Sequence, residues 1–474
     1  MTRLKDIITN PLLAVLWALV LLQVPSQAQA DHLIPYPGGK TYLVRVSLAD
    51  KSFSPYSIDR PHDFLSYRAI KRRERQHLAV DSTDLPVSPQ YVRAVAASGF
   101  EVVGRSKWNN TLLVKCPSLD RLEVLKSLTF VKDVRVVFSS PDSIAAAHRT
   151  IYTEHLNRLT PDSSDLYGAS GPQIRAMDGV RLHQAGFRGR GMLIAVVDAG
   201  FMNVDHIPAM REVSIIGIHN VVNSPVGDIF DAHDHGTKTL SAMALDVPHV
   251  YVGTAPEAGY VLIRSEVSQT ESPSEEDYWA EAVELADSCG VDVINSSLGY
   301  HGFDNPDDNY HYWQQDGLTA YISRTASMLA QKGIVLVNSA GNDGMNSWKK
   351  INCPADARDI LTVGAVTPQG VNAAFSSVGP TADGRVKPDV MAFGSPAAVM
   401  DGSGEIVEDM GTSFSSPIVC GMVACLWQAL PDLTAKDIIN LVRKTASQAD
   451  RPDNIYGYGQ PDFWKAYQTG KEKQ

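Results

Sequence analysis

The stretch MLIAVVDAG, residues 192–200, decides the fold of the larger part of this chain. Its six apolar residues predict a strand buried on both faces, and the Asp198 and Gly200 that follow predict a sharp turn where that strand ends. Four later apolar runs predict further strands, over residues 260–264, 291–295, 334–338 and 360–366. Helical segments lie between these runs, so the pattern predicts an α/β fold, a doubly wound parallel sheet with helices on both faces.

Two of the intervening helices have recognisable ends. Ser274 and Asp277 have the spacing of a capping box, which predicts the start of a helix, and Gly290 predicts its end. Another helix is expected over residues 318–332, with Gly333 as its stop signal. These helices supply the alternation with strands that a parallel sheet requires.

Polar motifs follow or flank several of these elements. Sites in parallel sheets form at the carboxyl ends of the strands, where Asp198 and the motif SAGND, residues 339–343, are expected to lie. The motif DHGT puts His235 at the start of a helix, and GTSFSSP puts Ser413 at the start of another. Each motif alone is equally typical of a turn or a helix cap, whereas the four together predict a reactive centre.

These residue types suit acyl transfer by a serine nucleophile. The Ser413 hydroxyl is a weak nucleophile until His235 takes its proton, and Asp198 would hold the imidazole in the useful tautomer. The Asn342 amide is expected to donate a hydrogen bond to the oxyanion of the tetrahedral intermediate. We therefore predict that Asp198, His235 and Ser413 are the catalytic residues and that Asn342 is the oxyanion donor.

The motifs resemble those of the subtilisin-like serine peptidases, the subtilase or S8-type family, over about residues 171–462. The order Asp, His, Ser along the chain is also that of subtilisin. The resemblance rests on VVDAG (196–200), DHGT (234–237), GTAPEA (253–258), VINSSLG (293–299), SAGN (339–342), FSSVGP (375–380) with KPD (387–389), and GTS (411–413) with Ser416, Pro417 and Gly421. It implies a subtilisin-like fold and endopeptidase activity through an acyl-enzyme intermediate.

The resemblance also implies where a substrate binds. The two walls of the primary specificity pocket would be Ser297, Leu298 and Gly299 on one side and Ser339, Ala340 and Gly341 on the other. Four positions depart from the family's usual residues without removing a catalytic group: Ala199, Lys238, Phe393 and Phe414. Lys238 places a cation one helical turn from the site, and we expect it to lower the pKa of His235.

The first thirty residues have the pattern of a secretory signal peptide. Arg3 and Lys5 precede the apolar run 12–22, and Ala28-Gln29-Ala30 has the form of a cleavage site after Ala30. A transmembrane anchor is the alternative, but the run falls well short of the roughly 20 residues that a spanning helix needs. We expect a secreted protein, periplasmic or extracellular, with no membrane span once the signal is removed.

A small α+β unit is predicted between the signal and the larger sheet, over residues 31–140. Strands are expected at 41–47, 111–115 and 131–137, and a helix at 119–128. By position, this unit resembles the family's inhibitory propeptides, and a non-inhibitory accessory domain is the alternative. Residues 141–171 read as a linker with a processing site, and residues 172–474 as the catalytic domain.

Composition excludes several other roles. The net charge of −11 argues against nucleic-acid binding, and we interpret the basic cluster Arg68, Lys71, Arg72, Arg73 and Arg75 as a solvated helix face. Five cysteines are an odd number without the spacing of a zinc site, so we expect no metal centre and no required cofactor. Structural calcium is a minor alternative, with Asp228, Asp231 and Asp234 as its candidate ligands.

Taken together, these features predict a secreted serine endopeptidase with protein or peptide substrates. Its own propeptide is the expected intramolecular inhibitor. A catalytically inactive subtilisin fold that serves as a binding module is the rival from another class, and an esterase that uses the same nucleophile is the rival among enzymes.

Overall fold

The computed structural model describes residues 33–146, 164–223 and 229–472. The predicted signal peptide and residues 147–163 of the predicted linker lie outside the described residues. Within the described part, an N-terminal unit precedes a larger unit built on a parallel sheet.

The N-terminal unit is the small α+β structure that the sequence predicted. Its strands are β1 (Leu33–Pro35), β2 (Tyr42–Leu48), β3 (Glu101–Ser106), β4 (Thr111–Cys116), β5 (Val131–Ser139) and β6 (Ser143–Ala145). Its helices are α1 (Tyr67–Arg75), α2 (Pro89–Ala97) and α3 (Leu122–Lys126). An antiparallel sheet in the order β3-β4-β2-β5 buries one apolar face against the helices, while β1 pairs with β6.

The larger unit alternates strands and helices. Its strands are β7 (Leu193–Asp198), β8 (Ile215–Asn220), β9 (Asp246–Val247), β10 (Tyr251–Val252), β11 (Gly259–Arg264), β12 (Val293–Ser296), β13 (Val335–Ser339), β14 (Leu361–Val366), β15 (Val390–Phe393), β16 (Ala397–Met400) and β17 (Ile406–Asp409). Its helices are α4 (Gly171–Arg175), α5 (Gly179–Gln184), α6 (His235–Ala244), α7 (Ser274–Cys289), α8 (Tyr321–Ala326), α9 (Thr412–Ala429), α10 (Ala435–Thr445) and α11 (Phe463–Lys471).

Seven parallel strands form the central sheet in the order β15-β14-β13-β12-β7-β11-β8. Every residue of β7 is buried, as its continuous apolar run predicted. Asp198, Ser296 and Ser339 are the last residues of three neighbouring strands. Because parallel strands end at the same edge, the predicted site segments meet there.

Helices cover the sheet on both faces. Helices α6 and α9 lie in one apolar cluster with residues such as Val196 and Leu262, whereas α7 contributes Trp279 and Val283 to the cluster on the opposite face. Helix α9 is buried along most of its length. This arrangement explains why α9 carries so few charged residues.

Two predicted helices are shorter than expected. The segment 318–332 forms α8 and then a 3₁₀ turn, Leu329–Lys332, before ending at Gly333 as predicted. Ser327 and Met328 separate the two pieces, and the Ser327 hydroxyl donates to the Gly317 carbonyl at 2.7 Å. The segment 119–128 likewise divides into a 3₁₀ turn and α3. The remaining short 3₁₀ turns are Pro61–Asp63, Pro208–Met210, Pro306–Asp308 and Tyr312–Gln314.

The predicted capping box at the start of α7 is wrong. Pro273 occupies the cap position and no side chain caps the helix. Both carboxylate oxygens of Asp277 instead bind the guanidinium of Arg45 from β2, at 2.7 and 2.6 Å. A bidentate charged pair is stronger than a cap, and its partner lies 232 residues away in sequence. Gly290 does end the helix, in the left-handed conformation.

The interpretation of the basic cluster as a solvated face holds for three of its five members, which are exposed, and is wrong for Arg72 and Arg73. Arg72 and Arg73 on α1 are only 2% and 1% exposed, and both bind the buried Asp287 at the end of α7. Arg68 and Arg75 pair with Asp292. Helix α1 therefore attaches the N-terminal unit to the larger one through buried charges.

Candidate active site

The Asp198 and His235 side chains are joined by a short hydrogen bond. Nδ1 of His235 lies 2.7 Å from Oδ1 of Asp198, whose side chain is 2% exposed. The Ala199 N–H also donates to Oδ1 at 2.8 Å, and the Thr239 hydroxyl donates to Oδ2 at 3.1 Å. The carboxylate is thus held rigidly and leaves Nε2 of His235 facing away from it.

Two glycines bring these motifs together. The Gly236 N–H donates to the Gly200 carbonyl at 3.0 Å, so the start of α6 rests on the turn after β7. A Cβ at Gly236 would lie 2.2 Å from that carbonyl oxygen, which no side chain permits. The glycines of DAG and DHGT therefore set the distance between Asp198 and His235.

Ser413 lies in the first turn of α9, beside the carboxyl end of β12. Its hydroxyl donates to the Ser297 carbonyl at 3.2 Å, and the Ser297 hydroxyl donates to the Ser413 carbonyl at 2.8 Å. Asn295 joins the two segments further, by donating to Ser297 Oγ and accepting from Ser416 Oγ. Within the described residues, the Ser413 hydroxyl therefore binds Ser297 rather than His235.

The side-chain amide of Asn342 is hydrogen-bonded through its oxygen but, among the described residues, not through its nitrogen. Oδ1 accepts hydrogen bonds from the backbone N–H and the hydroxyl of Thr412, both at 3.0 Å. These bonds orient the amide so that Nδ2 is the remaining donor, and Nδ2 has no hydrogen-bond partner in the part of the chain that the structure describes.

A cavity of about 390 Å³ joins these groups. It is lined by Ala199, His233, His235, Glu266, Ser268, Glu271, Ser297, Leu298, Gly299, Ser339, Gly341, Asn342, Asp343, Asn352, Thr412 and Ser413. Five of the six residues predicted as pocket walls line it. The sixth, Ala340, is fully buried behind the wall, where its N–H donates to the Val363 carbonyl.

The charge around His235 favours its protonated form. Burial opposes protonation, but the Asp198 carboxylate outweighs it and, with a contribution from Glu266, raises the pKa of His235 to about 9. Lys238 acts in the opposite direction, as the sequence predicted. Its effect is weakened because its ammonium group is paired with Asp409 at 3.0 Å.

Several residues of this site were not predicted from sequence. Thr239 follows His235 by one helical turn, so its position on the same helix face was a usable signal. Thr412 lies inside the GTS motif, and Asn295 in the VINSSLG stretch, although neither received a role. Glu266 carried no local signal.

Two protein-family models match this chain. The model of the subtilase family matches residues 189–459, and that of the peptidase S8 propeptide domain of Bacteroidota matches residues 43–151. The chain belongs to the subtilase family. The predicted family, and the predicted α/β fold with a preceding propeptide domain, are confirmed.

Individual relatives of this subtilase are distant. Serine protease AprX of Bacillus subtilis (strain 168) is 29% identical over 307 residues, which cover 57% of this chain and 65% of the relative. A subtilisin-like protease of Arabidopsis thaliana is 28% identical over 63% of this chain and 28% of its own length. Subtilisin DY of Bacillus licheniformis is 27% identical, over 59% and 91% respectively. The chain thus spans less than two thirds of the first two relatives.

Among solved structures, the epidermin leader peptide processing serine protease of Staphylococcus aureus has a TM-score of 0.64 at 16% identity. The match covers 92% of this chain and 99% of that one, so the likeness in fold includes both units.

Two further predictions concern metals and membranes. Asp228 lies outside the described residues, and the remainder of the described chain contains no group of acids, histidines and cysteines able to hold a metal ion. No helix in the described part is long and apolar enough to cross a bilayer. All five cysteines are free, including Cys420 and Cys425 on α9.

Proposed function

We propose that this subtilase is a secreted serine endopeptidase that cleaves peptide bonds with Ser413, His235 and Asp198. The observation that carries the proposal is the 2.7 Å bond between His235 and Asp198, on the same cavity as Ser413 and the free donor of Asn342. These groups fill the roles of nucleophile, base, orienting acid and oxyanion donor.

The reaction would begin when the Ser413 hydroxyl turns from the Ser297 carbonyl to His235 Nε2. Hydrogen bonds at active sites often tighten only when substrate is bound. The oxygen then attacks the peptide carbonyl while His235 takes the proton. Two donors can stabilise the resulting oxyanion, namely Asn342 Nδ2 and the backbone N–H of Ser413. The Ser413 N–H has no partner among the described residues, because it lies in the first turn of α9.

The second half of the reaction releases both products. The protonated His235 gives its proton to the leaving amine, and the acyl group stays on Ser413. Water then attacks the acyl-enzyme, with His235 again as base. No cofactor or metal takes part in these steps, and we propose that none is required.

We further propose that the propeptide domain inhibits the enzyme within the same chain until a cut in the predicted linker separates the two. The buried pairs between α1 and α7 support this, because they hold the domain on the catalytic unit. Export through the predicted signal peptide would deliver the precursor to the periplasm or the exterior.

The experiment compares the parent chain with Ser413→Ala in hydrolysis of casein and of a peptide amide, with self-processing followed by mass spectrometry. Ser415→Ala is the matched control, since Ser415 lies two residues further along the same helix and its buried hydroxyl has no partner among the described residues. We expect parent and control to cleave both substrates and shorten themselves, and Ser413→Ala to do neither. Equal inactivity of all three after removal of the propeptide would favour a binding module, and cleavage of esters alone would favour an esterase.

A further inference from the structure

The cavity at Ser413 has three acidic residues on its lining and neither Lys nor Arg. The three are Glu266, Glu271 and Asp343. Within the described residues, none of the three carboxylates has an ion pair with a Lys or Arg. Two histidines, His233 and His235, also line the cavity.

The floor of the pocket between the two walls offers acceptors. Asn352 lies between those walls, because a Cβ built on Gly299 would be 2.9 Å from its Cβ and one on Gly341 would be 2.8 Å from its Nδ2. Its Nδ2 donates to Asp343 at 2.8 Å, which fixes the amide orientation. The Oδ1 that remains is a buried acceptor without a partner among the described residues, on a side chain that is only 8% exposed.

An unpaired buried acceptor costs free energy unless a ligand supplies a donor. With the Asp343 carboxylate beside it, the floor suits a side chain that carries N–H donors and a positive charge. An apolar side chain would leave Asn352 Oδ1 unsatisfied, and an acidic one would be repelled by Asp343.

Glu266 and Glu271 form a second acidic group on the same cavity. Glu266 accepts a hydrogen bond from the Tyr300 hydroxyl at 2.8 Å. Glu275 accepts one from the backbone N–H of Val267, the residue that follows Glu266. Burial, together with the charge of Asp198, raises the pKa of Glu266 to about 7. Burial and the charge of Glu266 raise the pKa of Glu271 to about 8. A cation bound between these carboxylates would relieve their mutual repulsion.

We propose that this subtilase selects peptides in which the residue that carries the scissile carbonyl is Lys or Arg. That side chain binds Asn352 and Asp343, and Glu266 and Glu271 favour a further basic side chain elsewhere on the same cavity. This inference rests on the proposed peptidase function, and it assigns the substrate class of the same site.

The test uses the processed enzyme and fluorogenic peptides with Arg, Gln, Leu or Glu at the scissile residue or at either of its two neighbours, one position at a time. We expect kcat/KM with Arg at the scissile residue to exceed that with Leu about 10- to 100-fold, the size of a hydrogen bond to a charged group. Asp343→Asn should abolish this preference, whereas Glu266→Gln should leave it intact and reduce only a preference for Arg at a neighbouring position. Glu472→Gln, an exposed acid near the end of the chain, is the charge control.

Each variant is judged by its Arg-to-Leu ratio, because changes in the catalytic residues affect both peptides equally and cancel. Cleavage that favours Leu over Arg, or equal ratios in all variants, would overturn the inference while leaving the peptidase function intact. Failure to cleave any peptide would instead refute the proposed function.

Discussion

Two acidic surfaces of this protein differ in how their charge is balanced. Helix α7 presents Glu276, Asp277, Glu284 and Asp287 to the propeptide domain, which supplies basic or N–H partners for all four. The cavity at Ser413 holds carboxylates that no Lys or Arg of the described chain pairs. The same residue type thus stabilises an internal interface in one place and is left open for a ligand in the other.

The pairs on α7 are buried and geometrically complete. Arg45 binds Asp277 with two hydrogen bonds, and its guanidinium lies 3.7 Å from the ring centre of Tyr321. Burial opposes ionisation of Asp287, but Lys107, Arg72 and Arg73 together hold its pKa below the ordinary value. Charges of this kind are costly to expose singly, so the propeptide domain and α7 depend on each other.

The largest expected effect comes from removing the basic partners of the acidic side chains on α7. We expect Arg72→Ala with Arg73→Ala to lower the free energy of unfolding by roughly 3–5 kcal/mol, because Asp287 and Asp84 would lose buried partners. Urea unfolding of the full chain, in a Ser413→Ala background that prevents self-cleavage, measures this. Arg60→Ala is the control, since Arg60 is 64% exposed in its pair with Asp63, and its loss should cost less than about 1 kcal/mol. Equal effects would contradict the distinction.

The second prediction concerns the acidic cavity at Ser413, whose carboxylates pair with no Lys or Arg of the described chain. Arg149 and Arg158 are the only Lys or Arg residues in the predicted linker, and both lie outside the described residues. If the cavity selects basic residues, Arg149→Gln with Arg158→Gln should slow self-processing about tenfold or more. Timed mass spectrometry of the precursor measures the rate and locates the cut. The exposed Arg451→Gln serves as control, and unchanged processing in the double variant would count against a basic requirement.

The third prediction is the pH dependence of catalysis at this cavity. A base must be neutral, so kcat/KM should rise with pH through the pKa of His235, about 9. Glu266 contributes to this raised value, so Glu266→Gln should move the rising limb to lower pH, by about half a unit or more. A pH profile with a neutral peptide measures the shift against Glu472→Gln. A limb that stays in place would mean that Glu266 does not act on His235.

The smallest effect is expected at Lys238. Removing its charge with Lys238→His should move the same limb slightly to higher pH, because Lys238 lowers the pKa of His235. Its pairing with Asp409 screens that charge, so the shift should be smaller than the one caused by Glu266→Gln. The pH profiles of both variants, recorded together, rank the two neighbours, and no difference from the parent would reject a role for Lys238.

Much of the fold could be predicted because it depends on local sequence patterns. The apolar run before Asp198 predicted β7 to within one residue, and Gly290 and Gly333 predicted helix ends, since each depends on neighbouring residues alone. The motifs around His235 and Ser413 were recognisable for the same reason. The helix predicted over 318–332 is interrupted after Ala326, and no residue type in the local pattern marks that interruption.

The amino-acid sequence by itself determined the family, the order of the strands along the chain and the four residues that converge at one sheet edge. Only the tertiary structure decided which charges are balanced. Arg72 and Asp287 lie 215 residues apart in sequence, and Glu266 and Asp343 follow different strands of the sheet. The spatial neighbours of these four side chains are therefore set by how the strands and helices pack, not by adjacent residues. Whether a carboxylate is paired or open depends on long-range packing, because charge interactions act through space while sequence patterns report only on nearby residues.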